Sequence, residues 1–124
     1  MRFGVGKEKL IVALPYPPSV NRALRTTRQG KIYLHDSVKR YRASVGVLTI
    51  ALPRLGKAKL CVEVNMYPPD KRRRDIDNIL KSLLDALQHA GVYENDYQIV
   101  KLTVERCGVR EGGMVEVKIA EYRQ

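Results

Sequence analysis

The stretch "DKRRRDIDNILKSLLDAL", residues 70–87, sets four basic side chains directly before two aspartates spaced i, i+2 and then opens into a helical pattern. From Asn78 onward, 3.6 residues per turn send Ile79, Leu80, Leu83, Leu84, Leu87 and Ala90 to one side. Asp77, Lys81, Asp85 and Gln88 fall opposite, within about 80° of one another. The spacing predicts an amphipathic helix that starts near Asn78 and ends at Gly91.

Outward from this helix the period changes from 3.6 to 2. "KLCVEVNMY" (59–67) places Leu60, Val62, Val64 and Met66 on one face, and "IVKLTVER" (99–106) does so with Val100, Leu102 and Val104. "MVEVKIAEY" (114–122) aligns Val115, Val117 and Ile119. Such strands belong to a sheet with one covered face. "GVREGG" between the last two reads as a hairpin loop. Upstream, "KLIVAL" (9–14) reads as a buried strand, and "PYPPSVNRALRTTRQGK" (15–31) as a basic loop in which prolines block a helix. "IYL" (32–34) suits a short strand. Asp36 or Ser37 is placed to cap a helix running to about Leu52, with Val38, Tyr41, Val45 and Leu48 at helical spacing, stopped by Pro53 and Gly56. The expected class is α+β: two helices packed on a mixed, largely antiparallel sheet of about four strands, in one domain spanning 1–124.

The formal charge of +10 points to a polyanionic partner. Residues 1–74 carry 17 Lys+Arg against 4 Asp+Glu, a net of +13, and residues 75–124 carry 6 against 9, a net of −3. The switch falls between Arg74 and Asp75. No apolar run is long enough for a membrane span, and no signal peptide is evident. Cys61 and Cys107 form no CxxC, and His35 and His89 stand apart as surface or helix-end residues, which argues against zinc. The two thiols are expected to be reduced, in a cytoplasmic protein.

Asp75 and Asp77 flank Ile76. In an extended segment i and i+2 project to the same side. Two carboxylates about 5.5 Å apart at an effective dielectric of about 20 repel by roughly 3 kcal/mol. Arg74, Lys81, the helix N-terminus or a bound cation can offset this. A structural reading makes Asp77 the N-cap, Asp75 a partner of the helix dipole, and Lys81 an i, i+4 pair. A functional reading adds Glu94 and Asp96 from "ENDYQIV". A helix of about 14 residues separates that loop from Asp77 by roughly 20 Å. Asp96 therefore meets Asp75 only if the next strand returns beside the helix start, or across a dimer interface. Carboxylates with no His/Cys set favour Mg²⁺, with Mn²⁺ a plausible substitute. A basic grip, an acidic centre and a lysine are what metal-assisted phosphodiester hydrolysis requires.

"PPSVN" (17–21), "DKRRRDIDNILKSLLDAL" and "ENDYQIV", in this order and at these separations, resemble the RusA family of Holliday junction resolvases. The resemblance covers most of the chain. It implies a small homodimeric, magnesium-dependent DNA endonuclease of bacterial or phage origin that nicks a four-way junction in pairs. Asp75, Asp77 and Asp96 would be the metal-binding acids and Lys81 the essential lysine. Lys71, Arg72, Arg73 and Arg74, with Asn21 and Arg22, would grip the junction. Some members have two adjacent aspartates where this chain has Asn95-Asp96, so Asn95 contributes no anion. A C2 dimer matches the approximate two-fold symmetry of a junction. The outer strand faces or the first helix would supply its interface. The rival readings are a non-catalytic basic nucleic-acid-binding α+β module, a subunit that docks an acidic partner, and a metal nuclease acting on flaps or RNA. The strands lack the aromatic-rich pattern of RNA-binding sheets.

Overall fold

A computed structural model of the chain describes residues 9–19, 24–26, 28–30 and 32–123. At its centre lies Leu60–Tyr67, whose alternate side chains Leu60, Val62, Val64 and Met66 are all sealed from solvent. In chain order the strands are β1 (Lys9–Pro15), β2 (Leu24–Thr26), β3 (Ile32–Leu34), β4 (Leu60–Tyr67), β5 (Ile99–Arg106) and β6 (Met114–Glu121). The helices are α1 (Asp36–Leu48) and α2 (Leu80–His89). β1, β6, β4 and β5 form one sheet in that spatial order, and β2 and β3 form a separate antiparallel pair. β6 is antiparallel to both neighbours, with Val117 opposite Val12 and Val64. β5 runs parallel to β4, with Leu102 opposite Val62.

Both helices lie on one face of this sheet, as the α+β expectation requires. Tyr41 and Val45 of α1, and Leu83, Ala86 and Leu87 of α2, meet the inward residues of β1, β4 and β6 in one core. Ile79, just before α2, completes it. Leu83 is fully buried, and truncation to Ala would cost about 2–5 kcal/mol. Buried tyrosines send their hydroxyls to backbone carbonyls: Tyr41 donates to Pro15 O at 2.8 Å and Tyr93 to Leu84 O at 2.6 Å.

One connection decides where the site can form. Parallel strands need a crossover, and α2 supplies it between β4 and β5. Ile99 pairs with Leu60, so Asp96 stands at the start of β4. Asp70–Asp77 follows the end of β4. A strand of that length separates the two ends by roughly 25 Å.

Several expected boundaries move. Segment 15–31 is not all loop, because β2 lies within it. His35, not Asp36 or Ser37, caps α1, with its ring nitrogen accepting from Ser37 N at 3.1 Å. α1 stops at Leu48, before Pro53 and Gly56. There Thr49 turns its hydroxyl back to Val45 O at 2.8 Å. α2 begins at Leu80 rather than Asn78, after a turn over residues 76–79. The 107–113 segment is not a hairpin loop: β5 and β6 flank β4 instead of pairing, so it crosses the end of β4. Cys107 N donates to Met66 O at 2.7 Å and Arg110 N to Pro68 O at 2.9 Å along this crossing. The covered-face pattern also fails at the edge: Val100 and Leu102 remain 48% and 40% exposed, and of β5 only Ile99 and Val104 pack against the core.

Candidate active site

The chain leaves β4 through Pro68 and Pro69 and turns at Asp70. The Asp70 carboxylate accepts from Arg72 N at 2.9 Å and lies 2.8 Å from Arg74 Nη1. These hydrogen bonds, that of Arg74 foremost, hold its carboxyl well below the usual carboxylate range. Arg74 also donates to the carbonyls of Asp70 and Arg72, both at 3.2 Å, and its guanidinium lies 5.9 Å from the Tyr16 ring centre. Its side chain is only 15% exposed. Arg74 is therefore committed to shaping the segment, whereas Lys71, Arg72 and Arg73 face solvent. Among the described residues, Lys71 and Arg73 have no side-chain partner.

Asp75 and Asp77 follow in a turn, not an extended segment: Asn78 N donates to Asp75 O at 3.1 Å and Leu80 N to Asp77 O at 3.2 Å. Neither carboxylate caps α2, whose N-cap is Ile79 with no side-chain cap bond. Both aspartates are exposed, and among the described residues neither side chain has a hydrogen-bond or ion-pair partner. Ser19 Oγ donates to Asn78 Oδ1 at 3.0 Å, so the proline-rich loop docks against this turn. Between loop and turn lies a pocket of about 450 Å³ walled by Tyr16, Pro17, Pro69, Arg72 and Arg74.

The polar stripe of α2 runs from this turn to the opposite end of the helix. Lys81 pairs with Asp85 at 3.1 Å, rather than with Asp77. Gln88 Oε1 accepts from Asp96 N at 2.9 Å, which fixes Asp96 at the helix C-terminal end. Asp75, Asp77 and Lys81 thus share one end of the molecule and Asp96 occupies the other. Among the described residues, no group of three His, Cys, Asp or Glu side chains converges for a metal. Asp75 and Asp77 still fit Mg²⁺, which binds through one or two carboxylates and completes its shell with water and phosphate. Asn21 and Arg22 lie outside the described residues.

Sequence reasoning missed Asp70, although its i, i+4 spacing to Arg74 was the available signal. It also missed Arg106 and Arg110, because their approach depends on the 107–113 crossing. Arg106 Nη2 donates to Arg74 O at 2.7 Å, and the Arg110 guanidinium sits 4.1 Å from the Tyr67 ring centre. Gly113 makes the crossing possible: at φ +69°, a Cβ there would come within 2.9 Å of Tyr16 Cβ and 3.0 Å of Pro69 Cδ.

The family profile described as Endodeoxyribonuclease RusA matches residues 15–120, a span that runs from the proline-rich loop to the penultimate residue of β6. The chain belongs to the RusA family. A crossover junction endodeoxyribonuclease of Enterobacteria phage HK97 is 42% identical over 110 residues, 87% of this chain and 91% of the relative. That of Escherichia coli K12 is 38% identical over 112 residues, 89% and 92% of the two chains. That of Enterobacteria phage 82 is 35% identical over 117 residues, again 89% and 92%. With these RusA relatives in view, the basic segment, the exposed aspartate pair and the lysine after it form a candidate nuclease centre.

Proposed function

We propose that this protein is a crossover junction endodeoxyribonuclease that resolves four-way DNA junctions by paired, symmetric, Mg²⁺-dependent nicks, as one RusA-like domain acting as a homodimer in the cytoplasm of a bacterium. The observation that carries the reading is the state of Asp75 and Asp77. Two exposed carboxylates, unused as helix caps, follow the exposed Lys71, Arg72 and Arg73, with the largely covered Arg74 between. Family membership supplies the reaction class. No helix among the described residues is long and apolar enough to cross a membrane.

The residues divide the work. Lys71, Arg72 and Arg73 hold the phosphate backbone, with Asn21 and Arg22 from the proline-rich loop, while Arg74 keeps the segment in shape. Asp75 and Asp77 of one subunit, with Asp96 of the other, hold the ion. Bound there, Mg²⁺, or Mn²⁺ in its place, supplies Lewis-acid polarisation of the phosphate and acidifies water. Lys81 adds positive charge where the pentavalent transition state gains negative charge. The cut leaves a 5′-phosphate and a 3′-hydroxyl.

The parallel β4–β5 pairing supports the trans placement of Asp96, because it keeps that residue far from Asp75 within one chain. Exposed apolar side chains at the Asp96 end support association there: Val47 and Leu48 of α1, Ile50 after it, and Val100 and Leu102 of β5.

Mixed dimers test the whole arrangement. Asp75→Asn and Asp96→Asn are each expected to abolish junction cleavage, leaving binding intact. With acids shared between subunits, a mixed dimer regains one complete site and nicks one strand without pairing the cuts. Dead mixtures would place all the acids within one subunit. Full activity in Asp75→Asn alone, with Mg²⁺ present and chelator controls inactive, would remove Asp75 from the ion site.

A further inference from the structure

Beyond the far end of α2 lies a second pocket, of about 330 Å³, rimmed by Lys57, Lys59, Glu94, Asn95, Tyr97 and Val100. Its frame is stiff. Gln98, nearly buried beneath it, uses every hydrogen-bonding position of its amide. Nε2 donates to Gly56 O at 2.9 Å and Ala58 O at 2.7 Å, and Oε1 accepts from Glu94 N at 2.9 Å and Asn95 N at 2.8 Å. Asn95 Oδ1 accepts from Tyr97 N at 3.0 Å. The loop that carries the two lysines and the turn that carries Tyr97 are therefore one unit.

The functional groups on that frame are uncommitted. Tyr97 is 84% exposed, the most of the large hydrophobic residues that face solvent among the described residues. Among the described residues, neither lysine side chain nor the Tyr97 hydroxyl has a hydrogen-bond or ion-pair partner. A solvated aromatic face beside two unpaired cations suits nucleic acid, since every base offers a π face and every nucleotide a phosphate. Lysine is depleted from protein interface cores, so the association surface proposed for this end would stop at Val100 and leave the two lysines outside it.

We infer that the Lys57/Lys59/Tyr97 pocket binds one unstacked nucleotide of the DNA substrate, its base against Tyr97 and its phosphates at the lysines. The inference rests on the junction-cleaving reading. A branch point offers such a nucleotide more cheaply than continuous duplex, because stacking between the arms is already interrupted where the strands exchange. Glu94 on the rim can accept from an exocyclic amine while repelling phosphate, which orients the base inward and the backbone toward the lysines. The pocket adjoins Asp96, so the held nucleotide would lie beside the acid contributed to the partner's cut.

The test uses the full-length protein and a synthetic four-way junction carrying 2-aminopurine at each branch-point position in turn, with chelator present to block cleavage. Tyr97→Leu is expected to weaken binding about tenfold and to change the emission of one bound probe position. Tyr97→Phe, which keeps the ring, should restore most of both. Replacing Lys57 and Lys59 by Gln should lower the slope of log affinity against log salt by about one unit for each phosphate no longer neutralised. Wild-type binding and cleavage, with Tyr97→Leu within twofold and unchanged emission, would sink the pocket and leave the nuclease standing. A Tyr97→Leu effect confined to the monomer–dimer balance in sedimentation would make the pocket a subunit surface and overturn the inference. Failure of the wild type to bind or cut any junction would bring down both.

Discussion

Ser19 Oγ donates to Asn78 Oδ1 across 3.0 Å, joining positions 59 residues apart. One partner belongs to the proline-rich loop and the other to the turn that carries Asp75 and Asp77. The bond fixes the spacing between two walls of the candidate site. Asn78→Ala should cost about 0.5–1.5 kcal/mol of stability, the range for one such bond. Junction cleavage should fall further than that loss of folded protein explains. Thermal melts run beside single-turnover cleavage separate the two effects. Activity that returns fully on cooling would mean that the bond serves the fold alone.

Asp70 predicts a different failure. Its carboxylate gathers Arg74 and the Arg72 amide, and Arg74 above all holds its carboxyl below the ordinary value of 3.8. A depressed folded pKa contributes stability that is complete above 3.8 and is lost as pH falls below it. The basic segment should stay ordered from neutral pH down to about 4. Asp70→Ala, which removes the acceptor as well as the charge, should remove that order at neutral pH, seen as faster hydrogen exchange at the Arg72 amide and weaker junction binding. An unchanged Arg72 exchange rate would show that the segment is ordered by other contacts.

Lys81 separates chemistry from grip. Its pair with Asp85 is exposed and spaced i, i+4, so Lys81→Ala should cost no more than about 0.5 kcal/mol of stability. If Lys81 faces the transition state, turnover should fall by about 10²–10³-fold with affinity nearly unchanged. A loss of affinity as large as the loss of turnover would make it one more phosphate contact.

The elements easiest to read were those with an unambiguous period. Leu83 and Leu87 of α2 and Val62 and Val64 of β4 follow directly from spacing, and their burial agrees. Pairing was not legible. Nothing in Gly108–Gly113 states that β6 skips β5 to lie beside β4, because both arrangements bury the same alternating face. Parallel pairing of β5 is equally hidden, and it keeps Asp96 at the end of α2 to which the helix length and the Gln88 hydrogen bond already assign it, away from Asp75. Asp77 satisfied every local rule for an N-cap. The turn at 76–79 instead spends the first hydrogen bonds on backbone carbonyls and leaves the carboxylate outward. Asn95, beside Asp96, serves the local backbone, since its side chain caps the turn that carries Tyr97.

Tyr93 links the core to that same turn and predicts an alkaline limit to stability. Burial raises its pKa above the usual 10.0, and the charges of Asp96 and Asp85 add to the effect. Tyr41 is raised as well, by burial alone. For a group whose folded pKa is raised, the stabilising contribution is complete below the unfolded value of about 10 and declines as pH climbs beyond it. Each such tyrosine should remove about 1.4 kcal/mol per pH unit above 10. Tyr93→Phe leaves Leu84 O without its donor and should cost about 1 kcal/mol at pH 7. It has no hydroxyl to ionise, so its stability should fall less steeply than wild type between pH 10 and 11.5, and the two curves should converge. Urea midpoints across that range measure the slopes. Parallel curves would mean that Tyr93 does not carry the alkaline transition, leaving it to the other tyrosines whose pKa is raised, Tyr41, Tyr16 and Tyr67.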